Sequence, residues 1–533
     1  MAVDAATTPL APVAMPDALW RLMGAGAAVV PVLANDLDLN GPTLSLASFD
    51  PTSARGGSVA LVGGATPSLS YVAPGCLEGP DTFHYTVADP GGLTDQGLVT
   101  VSTVRAPTFL PPTSVSAPGF GIPEAFEGAD LDLDGDIDLV GVYGSTPADV
   151  VVFTRGPGGF AVSGQFDITL DVQQLRVGQV TGSARPDLVA VDMVAGKLVV
   201  APALDAGGFG PSITTTVSFP QAVAVAVQRP QGPAPLDVNG DGVPDVVVST
   251  TGFPIVIKTM LGNGNGGFTD GPSISTPGPA AFLELADMTG DDAPELVAVI
   301  GGIGLVQVYT VLPGGQLSLL ANQSTGATPI DVALGDADGD GDRDVVVVGS
   351  GVLGTLPGTR IVANTGDGHL GAVTLLPSTG TFPSSVALGD FDGDGDVDLA
   401  EANLLSNSIG VHPAFRTASG TAGPTAVAPI AAMLNTLNGA SGLVPLDDNG
   451  DGLTDLAVLV TAGTGYTVRI FRGSTVLPPG AEADLDHDGS VGAGDLAVLL
   501  GAWGTSSGDV DGDGATGPGD LAVLLGWWGA SSC

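Results

Sequence analysis

A chain of 533 residues with a formal net charge of −43, from 57 acidic against 14 basic residues, presents a surface that repels nucleic acid and anionic lipid, so neither is an expected partner. An apolar content of 44% excludes disorder, and the length excludes one ordinary core, so about two to four domains are expected. Two cysteines, Cys76 and Cys533, are too few for a disulfide framework, and no apolar run approaches the ~18 residues of a membrane span.

The N-terminus, "MAVDAATTPLAPVAMPDALW", has no basic stretch followed by an apolar core, so no export signal is legible. Everything downstream points to export, so a truncated or misassigned start is expected. Next come "VVPVLANDLDLNGPTLSL" and "LSYVAPGCLEGPDTFHYTVADPGGLTDQGLVTVSTV", alternating runs broken by turn residues. They predict a small β-sandwich over residues 18–104. "VRAPTFLPP" reads as the Pro-containing junction that follows.

From residue 105 an acidic stretch recurs: "DLDLDGDIDLV" at Asp130, "DVNGDGVPDVV" at Asp237, "DMTGDDAPELV" at Asp287, "DADGDGDRDVV" at Asp336, "DFDGDGDVDLA" at Asp390 and "DDNGDGLTDLA" at Asp447. A worn copy, "QVTGSARPDLV", begins at Gln179, and successive copies lie 49 to 58 residues apart. Each has a strand before it, a continuous apolar strand after it, and further alternating runs. That period predicts one seven-bladed β-propeller over residues 105–475, with strands buried on both faces. The last unit is a strand short after "YTVRIFRGS", so "TFLPPTSVS" near residue 110 is expected to supply its outer strand and close the ring.

Neighbouring like charges ~4 Å apart repel by about 1 kcal/mol even in water, so something must hold these acids together. Oxygen side chains at positions 1, 3, 5 and 9, with Gly usually at 6, suit Ca²⁺, which takes six to eight oxygens in flexible geometry; Mg²⁺ demands a stricter octahedron and Zn²⁺ prefers His or Cys. The predicted ligands are Asp130, Asp132, Asp134 and Asp138; Asp237, Asn239, Asp241 and Asp245; Asp336, Asp338, Asp340 and Asp344; Asp390, Asp392, Asp394 and Asp398; and Asp447, Asn449, Asp451 and Asp455. In the loop beginning at Asp336, Asp342 would offer its carbonyl while its side chain faces solvent. Asp287, Asp291 and Glu295, with Thr289, make a weaker set; Gln179, Thr181 and Ser183 predict an empty loop. One such stretch alone reads equally well as an Asx-rich turn; the periodic recurrence points to cations. With Kd of roughly 10⁻⁴–10⁻³ M for extracellular modules, each filled site adds roughly 0.4–1.4 kcal/mol at about millimolar calcium. The calcium is therefore expected to be structural.

After a linker at 476–483 comes a tandem duplication over 484–533, "DLDHDGSVGAGDLAVLLGAWG" and "DVDGDGATGPGDLAVLLGWWG". Oxygen side chains fall at positions 1, 3, 5 and 12: Asp484, Asp486, Asp488 and Asp495, then Asp509, Asp511, Asp513 and Asp520. That is EF-hand spacing with Asp replacing the usual Glu, followed by a short helix "LAVLLG". About seven calcium sites result in all.

The repeated loop resembles FG-GAP/VCBS repeats, the family that includes the integrin α-subunit propeller; the resemblance implies a seven-bladed propeller with Ca²⁺ loops on one face. The duplicated tail resembles a bacterial dockerin module with shortened second helices, which implies docking on a cohesin-like partner or a surface anchor. "VLANDLD" and "GPDTFHYTVADPGG" look like bacterial cadherin-like or Ig-like repeats of adhesins.

No catalytic signature stands out. His84, His369, His412 and His487 lie in different segments, and Glu124, Glu127, Glu284 and Glu401 share no motif. Trp503, Trp527 and Trp528 crowd the tail, as docking anchors or as caps on the paired loops; Trp20 is the one other tryptophan. Tyr143, Tyr309 and Tyr466 read as packing residues rather than sugar platforms. The expectation is a mainly β, non-catalytic, secreted or cell-surface calcium-binding protein, its propeller used for adhesion or ligand recognition and its tail for anchoring. The alternative is a carbohydrate-binding or polysaccharide-degrading protein attached to a cohesin-type assembly.

Overall fold

The computed structural model describes residues 10–23, 26–38, 41, 43–64, 66–75, 77, 79–104, 107–117, 122–144, 148–168, 172, 174–204, 208–225, 236–351, 358–378, 380–393, 395–413, 432–435, 440–462, 465–474, 483, 485, 491–505, 510, 515–526 and 528. The chain divides into two units: residues 1–106, 421–431 and 475–533 make one, and 107–420 with 432–474 make the other. Both cysteines lie outside the described residues. No helix among the described residues is long and apolar enough to cross a membrane.

In the first unit, seven strands form two sheets: β1 (Asp17–Leu22), β2 (Ala28–Val30), β3 (Ser45–Phe49), β4 (Ser58–Val62), β5 (Ser68–Val72), β6 (Gly79–Ala88) and β7 (Thr94–Val104). Their orders are β1-β7-β6-β3 and β2-β5-β4. The alternation read in the sequence decides which side faces in. Along β6, Phe83, Tyr85 and Val87 are buried while His84 is exposed. The inward set meets Leu69 and Tyr71 of β5 and Val99 and Val101 of β7 in one core.

The same unit holds the duplicated tail, with helices α1 (Ala493–Gly501) and α2 (Pro518–Gly526). Each begins three residues before the "LAVLLG" run, because an aspartate in the first turn accepts a backbone N–H at the helix start: Gly492 to Asp495 Oδ2 and Gly517 to Asp520 Oδ2, both 2.6 Å. Leu499 and Leu524, equivalent positions of the duplication, meet in a small core with Ala483 and Val491.

The second unit is built from four-stranded antiparallel sheets. Among the described residues there are seven, with inner strands Ile122–Ala129, Gln174–Gly178, Pro220–Ala224, Ala280–Ala286, Ala327–Gly335, Pro383–Gly389 and Ala440–Leu446. Each inner strand neighbours the inner strand of the next sheet, and Ala440–Leu446 neighbours Ile122–Ala129, a propeller-like arrangement. Six sheets are continuous in sequence. The seventh takes its outer strand from Thr113–Ala117, which pairs antiparallel with Gly465–Phe471. Thr108 and Phe109 pair with Ser474 and Gly473 beside it.

The cores lie between sheets, and this explains the continuous apolar runs. In "DVVVV", Val345 and Val347 pack toward the fourth sheet with Val297 and Val299. Val346 and Val348 pack toward the sixth with Val386 and Leu399. All four valines are fully buried. Burying one such side chain contributes about 1.5–3 kcal/mol, and no face of the strand is left for water. Val346→Thr and Val347→Thr should therefore each lower stability by about 1–3 kcal/mol in denaturant unfolding, since each buries an unpaired hydroxyl. A large cost at one position and almost none at the other would mean that the strand has a solvated face.

Candidate metal centres

Every acidic loop joins an inner strand to the second strand of its sheet, so all lie at one end of the second unit. Their backbones are organised by their own carboxylates. At position 1, one oxygen accepts the N–H of position 6: Gly135 to Asp130 at 3.1 Å, Gly242 to Asp237 at 2.8 Å, Asp292 to Asp287 at 2.9 Å, Gly341 to Asp336 at 3.1 Å, Gly395 to Asp390 at 3.0 Å and Gly452 to Asp447 at 2.9 Å. Gly135, Gly242, Gly341, Gly395 and Gly452 all have positive φ, which is why glycine recurs there.

Position 9 does more. One of its oxygens accepts the N–H of position 2 in all seven loops: Leu131 to Asp138, Val180 to Asp187, Val238 to Asp245, Met288 to Glu295, Ala337 to Asp344, Phe391 to Asp398 and Asp448 to Asp455, at 2.8–3.1 Å. The other oxygen accepts an N–H from the third strand or just beyond it: Arg155 to Asp138, Ala203 to Asp187, Gly262 to Asp245, Asn364 to Asp344 and Gly473 to Asp455, at 2.7–2.8 Å. These acids are buried. A single carboxylate thus ties the loop to two strands through charge-assisted hydrogen bonds. Sequence reasoning treated position 9 only as a ligand and missed this clamp; the signal was its survival in the worn loop.

Among the described residues, three carboxylates converge in four loops, with one oxygen from each lying within 4.8 Å of the others: Asp130, Asp132 and Asp138; Asp287, Asp291 and Glu295; Asp336, Asp338 and Asp344; Asp390, Asp392 and Asp398. Asp134 and Asp340 stand outside these groups. Each turns an oxygen to the N–H two residues on, Asp136 and Asp342, at 3.0 Å. Asp241 and Asp451 do the same for Val243 and Leu453. Where position 3 is asparagine, its amide donates to position 5: Asn239 to Asp241 at 3.0 Å and Asn449 to Asp451 at 2.8 Å. Asp394 lies outside the described residues, as do Asp484, Asp486, Asp488, Asp509, Asp511 and Asp513 of the tail; Asp495 and Asp520 are the helix caps described above. The side chain of Asp342 is partly buried beside Gly366 rather than free in solvent.

Burial raises several of the carboxyls in these loops, whereas Asp287, despite burial, lies below its ordinary value because it accepts four backbone N–H groups. It pushes Asp138 and Asp455 to about 6 and Asp344 to about 7, against the backbone hydrogen bonds that pull them down. Asp338 rises to about 6 through burial and the charges of Asp340 and Asp336. Asp245 and Glu295 move upward for the same first reason. Such groups resist full ionisation on their own, and a divalent cation among them would favour the charged form.

The worn loop shows the alternative solution. Thr181 Oγ1 donates to Asp187 Oδ1 at 3.0 Å, Ser183 Oγ to the Arg185 carbonyl at 2.8 Å, and Gln179 Nε2 to the Ser183 carbonyl at 2.5 Å. Hydroxyls and an amide close this turn without needing an ion. The seventh loop differs in another way: position 2, apolar elsewhere, is Asp448, fully buried and paired with Arg155 at 3.4 Å and Arg472 at 2.5 Å. Arg155 also reaches Asp136 of the first loop at 2.5 Å, so the pair spans the seam between the seventh and first sheets.

A cavity of about 1220 Å³ runs between the inner strands, and Gln174, Arg176, Glu127, Glu284, Asp331 and Ser385 give it polar walls. Arg176 pairs with Glu127, and Ser385 donates to Asp331 at 2.6 Å. The histidines share no centre: His84 meets Asp50 at 3.2 Å, His369 meets Asp367 at 3.1 Å, His412 is buried, and His487 lies outside the described residues. Tyr143 and Tyr309 are fully buried, and Tyr466 packs on Tyr143. Glu401 is buried and accepts from Thr359 at 2.7 Å and Ser378 at 2.9 Å.

The sandwich holds acids that sequence reasoning passed over. Burial pushes Asp17 to about 7, opposed by hydrogen bonds with Tyr85 and Asn35 and reinforced by the charge of Asp36. Asp36 also rises, first through burial. The only sequence signal was "NDLD", where Asn35 and Asp36 interrupt an apolar run.

Asp187→Asn should cost about 1–3 kcal/mol in denaturant unfolding with or without calcium, because an amide NH₂ would face backbone donors. A variant that loses stability only when calcium is present would refute the clamp. For Asp17, a folded pKa near 7 above the ordinary 3.8 gives a contribution fully present below pH ~4 and lost as pH rises through ~7. Relative to Asp17→Asn, the wild-type melting temperature should fall between pH 4 and 7; parallel profiles would contradict that environment.

Comparisons with known proteins agree with this geometry at the level of modules. Residues 9–102 match the family model of a bacterial Ig domain, and residues 237–298 and 336–400 match that of an FG-GAP-like repeat. No curated protein sequence matches the chain. Among solved structures, a catalytically inactive virginiamycin B lyase from Staphylococcus aureus with quinupristin is similar at TM-score 0.42 and 11% identity, over 68% of this chain and 99% of that one. A protein from Lactobacillus plantarum is similar at TM-score 0.41 and 12% identity, over 73% and 94%. The RRP9 WD40 repeats are similar at TM-score 0.44 and 10% identity, over 69% and 99%. The chain carries a bacterial Ig domain and FG-GAP-like repeats.

Proposed function

We propose that this is a non-catalytic, secreted or cell-surface calcium-binding protein. Its seven four-stranded sheets would close one propeller over residues 105–475, following an Ig-like sandwich at 18–104. A linker at 476–483 would lead to a dockerin-like pair of calcium loops at 484–533. The observation that carries the reading is the convergence of three carboxylates in each of four periodic loops. Hard oxygen donors without His or Cys favour Ca²⁺. The remaining ligands of each shell, including Asp134, Asp340, Asp394 and the carboxylates of the Asp237 and Asp447 loops, would come from small rotations within these turns. FG-GAP-like repeats and a bacterial Ig domain suit adhesion or ligand recognition outside the cell. Trp503 and Trp528, about half exposed, support protein docking by the tail, on a cohesin-like partner or a surface anchor.

A second reading, carbohydrate recognition, is favoured by the polar cavity between the inner strands. Binding to a glycan array that is lost in Asp331→Asn would establish it, and release of oligosaccharide would make the protein an enzyme. Calorimetric titration of the metal-stripped full chain with CaCl₂ tests the main reading. About seven ions and a large rise in melting temperature are expected. Binding of fewer than about three ions, or an unchanged melting temperature, would contradict it.

A further inference from the structure

We propose that Asn239 and Asn449 are sites of self-promoted deamidation: in the ion-free loop each loses its side-chain amide as ammonia and becomes aspartate or isoaspartate. The inference concerns covalent chemistry within two turns, and it stands apart from the adhesion reading and from whatever the loops bind.

The two loops share a sequence and a geometry. They read "DVNGDG" and "DDNGDG", and both asparagines are exposed. The following glycines, Gly240 and Gly450, hold φ of 76° and 72°, so the turn itself requires the residue that shields its peptide nitrogen least. Three hydrogen bonds surround the reacting atoms. Asp237 Oδ1 accepts the Gly240 N–H at 2.7 Å, and Asp447 Oδ1 accepts the Gly450 N–H at 2.7 Å. The carboxamide oxygen accepts the backbone N–H of position 5, Asp241 to Asn239 at 2.9 Å and Asp451 to Asn449 at 3.0 Å. This Asx turn folds the carboxamide back over its own peptide bond. The amide nitrogen donates to the carboxylate of the same aspartate, at 3.0 Å and 2.8 Å.

These contacts are what cyclic imide formation needs. The Gly240 nitrogen attacks Asn239 Cγ. Asp237 takes the N–H proton as the N–Cγ bond forms, and the Asp241 N–H stabilises the negative charge that develops on Oδ1. The Cγ–Nδ2 bond then breaks, and the nitrogen leaves as ammonia with the proton that Asp237 took, relayed by water. Water next opens the imide. Addition at Cγ gives aspartate; addition at the Asn239 carbonyl carbon gives isoaspartate, with the main chain rerouted through Cβ. Asparagine and water become aspartate and ammonia, with nothing oxidised or reduced. Asp447 and Asp451 play the same parts for Asn449. Aspartate at position 3 would complete the set of positions 1, 3 and 9 that converges in the loops beginning at Asp130, Asp336 and Asp390.

The chain carries its own control. Asn263 is exposed and precedes Gly264, and its Oδ1 accepts the N–H of Asn265 at 2.9 Å and of Gly267 at 3.1 Å. The Asx turn is present there, but among the described residues no carboxylate accepts the Gly264 N–H.

Incubation of the metal-stripped full chain at neutral pH, followed over time by peptide mass spectrometry, tests this. Asn239 and Asn449 should convert about tenfold or more faster than Asn263, a modest share of what a positioned base commonly contributes. Asp237→Asn should slow conversion at Asn239 about tenfold and leave Asn449 unchanged in the same molecules. If Asp237 only held the turn, its removal would free the loop and speed the reaction instead. Conversion at Asn263 as fast as at Asn239, or an unchanged or faster rate at Asn239 in Asp237→Asn, would overturn the proposal. So would asparagines 239 and 449 that stay intact throughout.

Discussion

The hydrogen bonds accepted by one buried carboxylate per repeat are the constraint on which the second unit depends. That acid, at position 9 of each loop, takes an N–H from the loop and, in five sheets, another from the third strand or just past it. It fixes where the second strand begins and holds two strands in register at the same point. A buried carboxylate surrounded by donors is expensive to replace, because removing it leaves those N–H groups unpaired. The worn loop makes the case. Positions 1, 3 and 5 have become Gln179, Thr181 and Ser183, yet Asp187 remains with both of its clamping bonds.

The acids therefore have two separable tasks. Position 9 organises backbone in every repeat. The convergence of positions 1, 3 and 9 in the loops beginning at Asp130, Asp336 and Asp390, and of 1, 5 and 9 in the loop beginning at Asp287, creates the oxygen-rich centres. Burial raises several of these carboxyls, which makes each centre a place where positive charge is favoured. Asp448 solves the same problem with arginine: Arg155 and Arg472, two of only 14 basic residues, supply the cation at the closing seam.

Much of this was legible in the sequence, for identifiable reasons. The recurrence of the acidic loop marks the repeat, the continuous valines announce a strand buried on both faces, and the missing strand after "YTVRIFRGS" sends the reader back to residues 113–117. What was not legible depends on atoms rather than patterns. Spacing says that positions 1, 3, 5 and 9 lie near one another. It does not say that Asp134 and Asp340 accept the N–H two residues on, or that Asp187 can hold its turn with hydroxyl partners. The half-buried carboxylates Asp17 and Asp36 escaped because nothing repeats them.

The central claim is that these loops are one backbone device, occupied by a cation where Asp or Asn side chains remain at positions 1, 3, 5 and 9. Anomalous diffraction from crystals grown with calcium, then repeated with a lanthanide, reads this loop by loop. Density is predicted in the loops beginning at Asp130, Asp237, Asp336, Asp390 and Asp447, with none at Gln179. Empty loops throughout, or an ion bound at the Gln179 turn, would contradict the account.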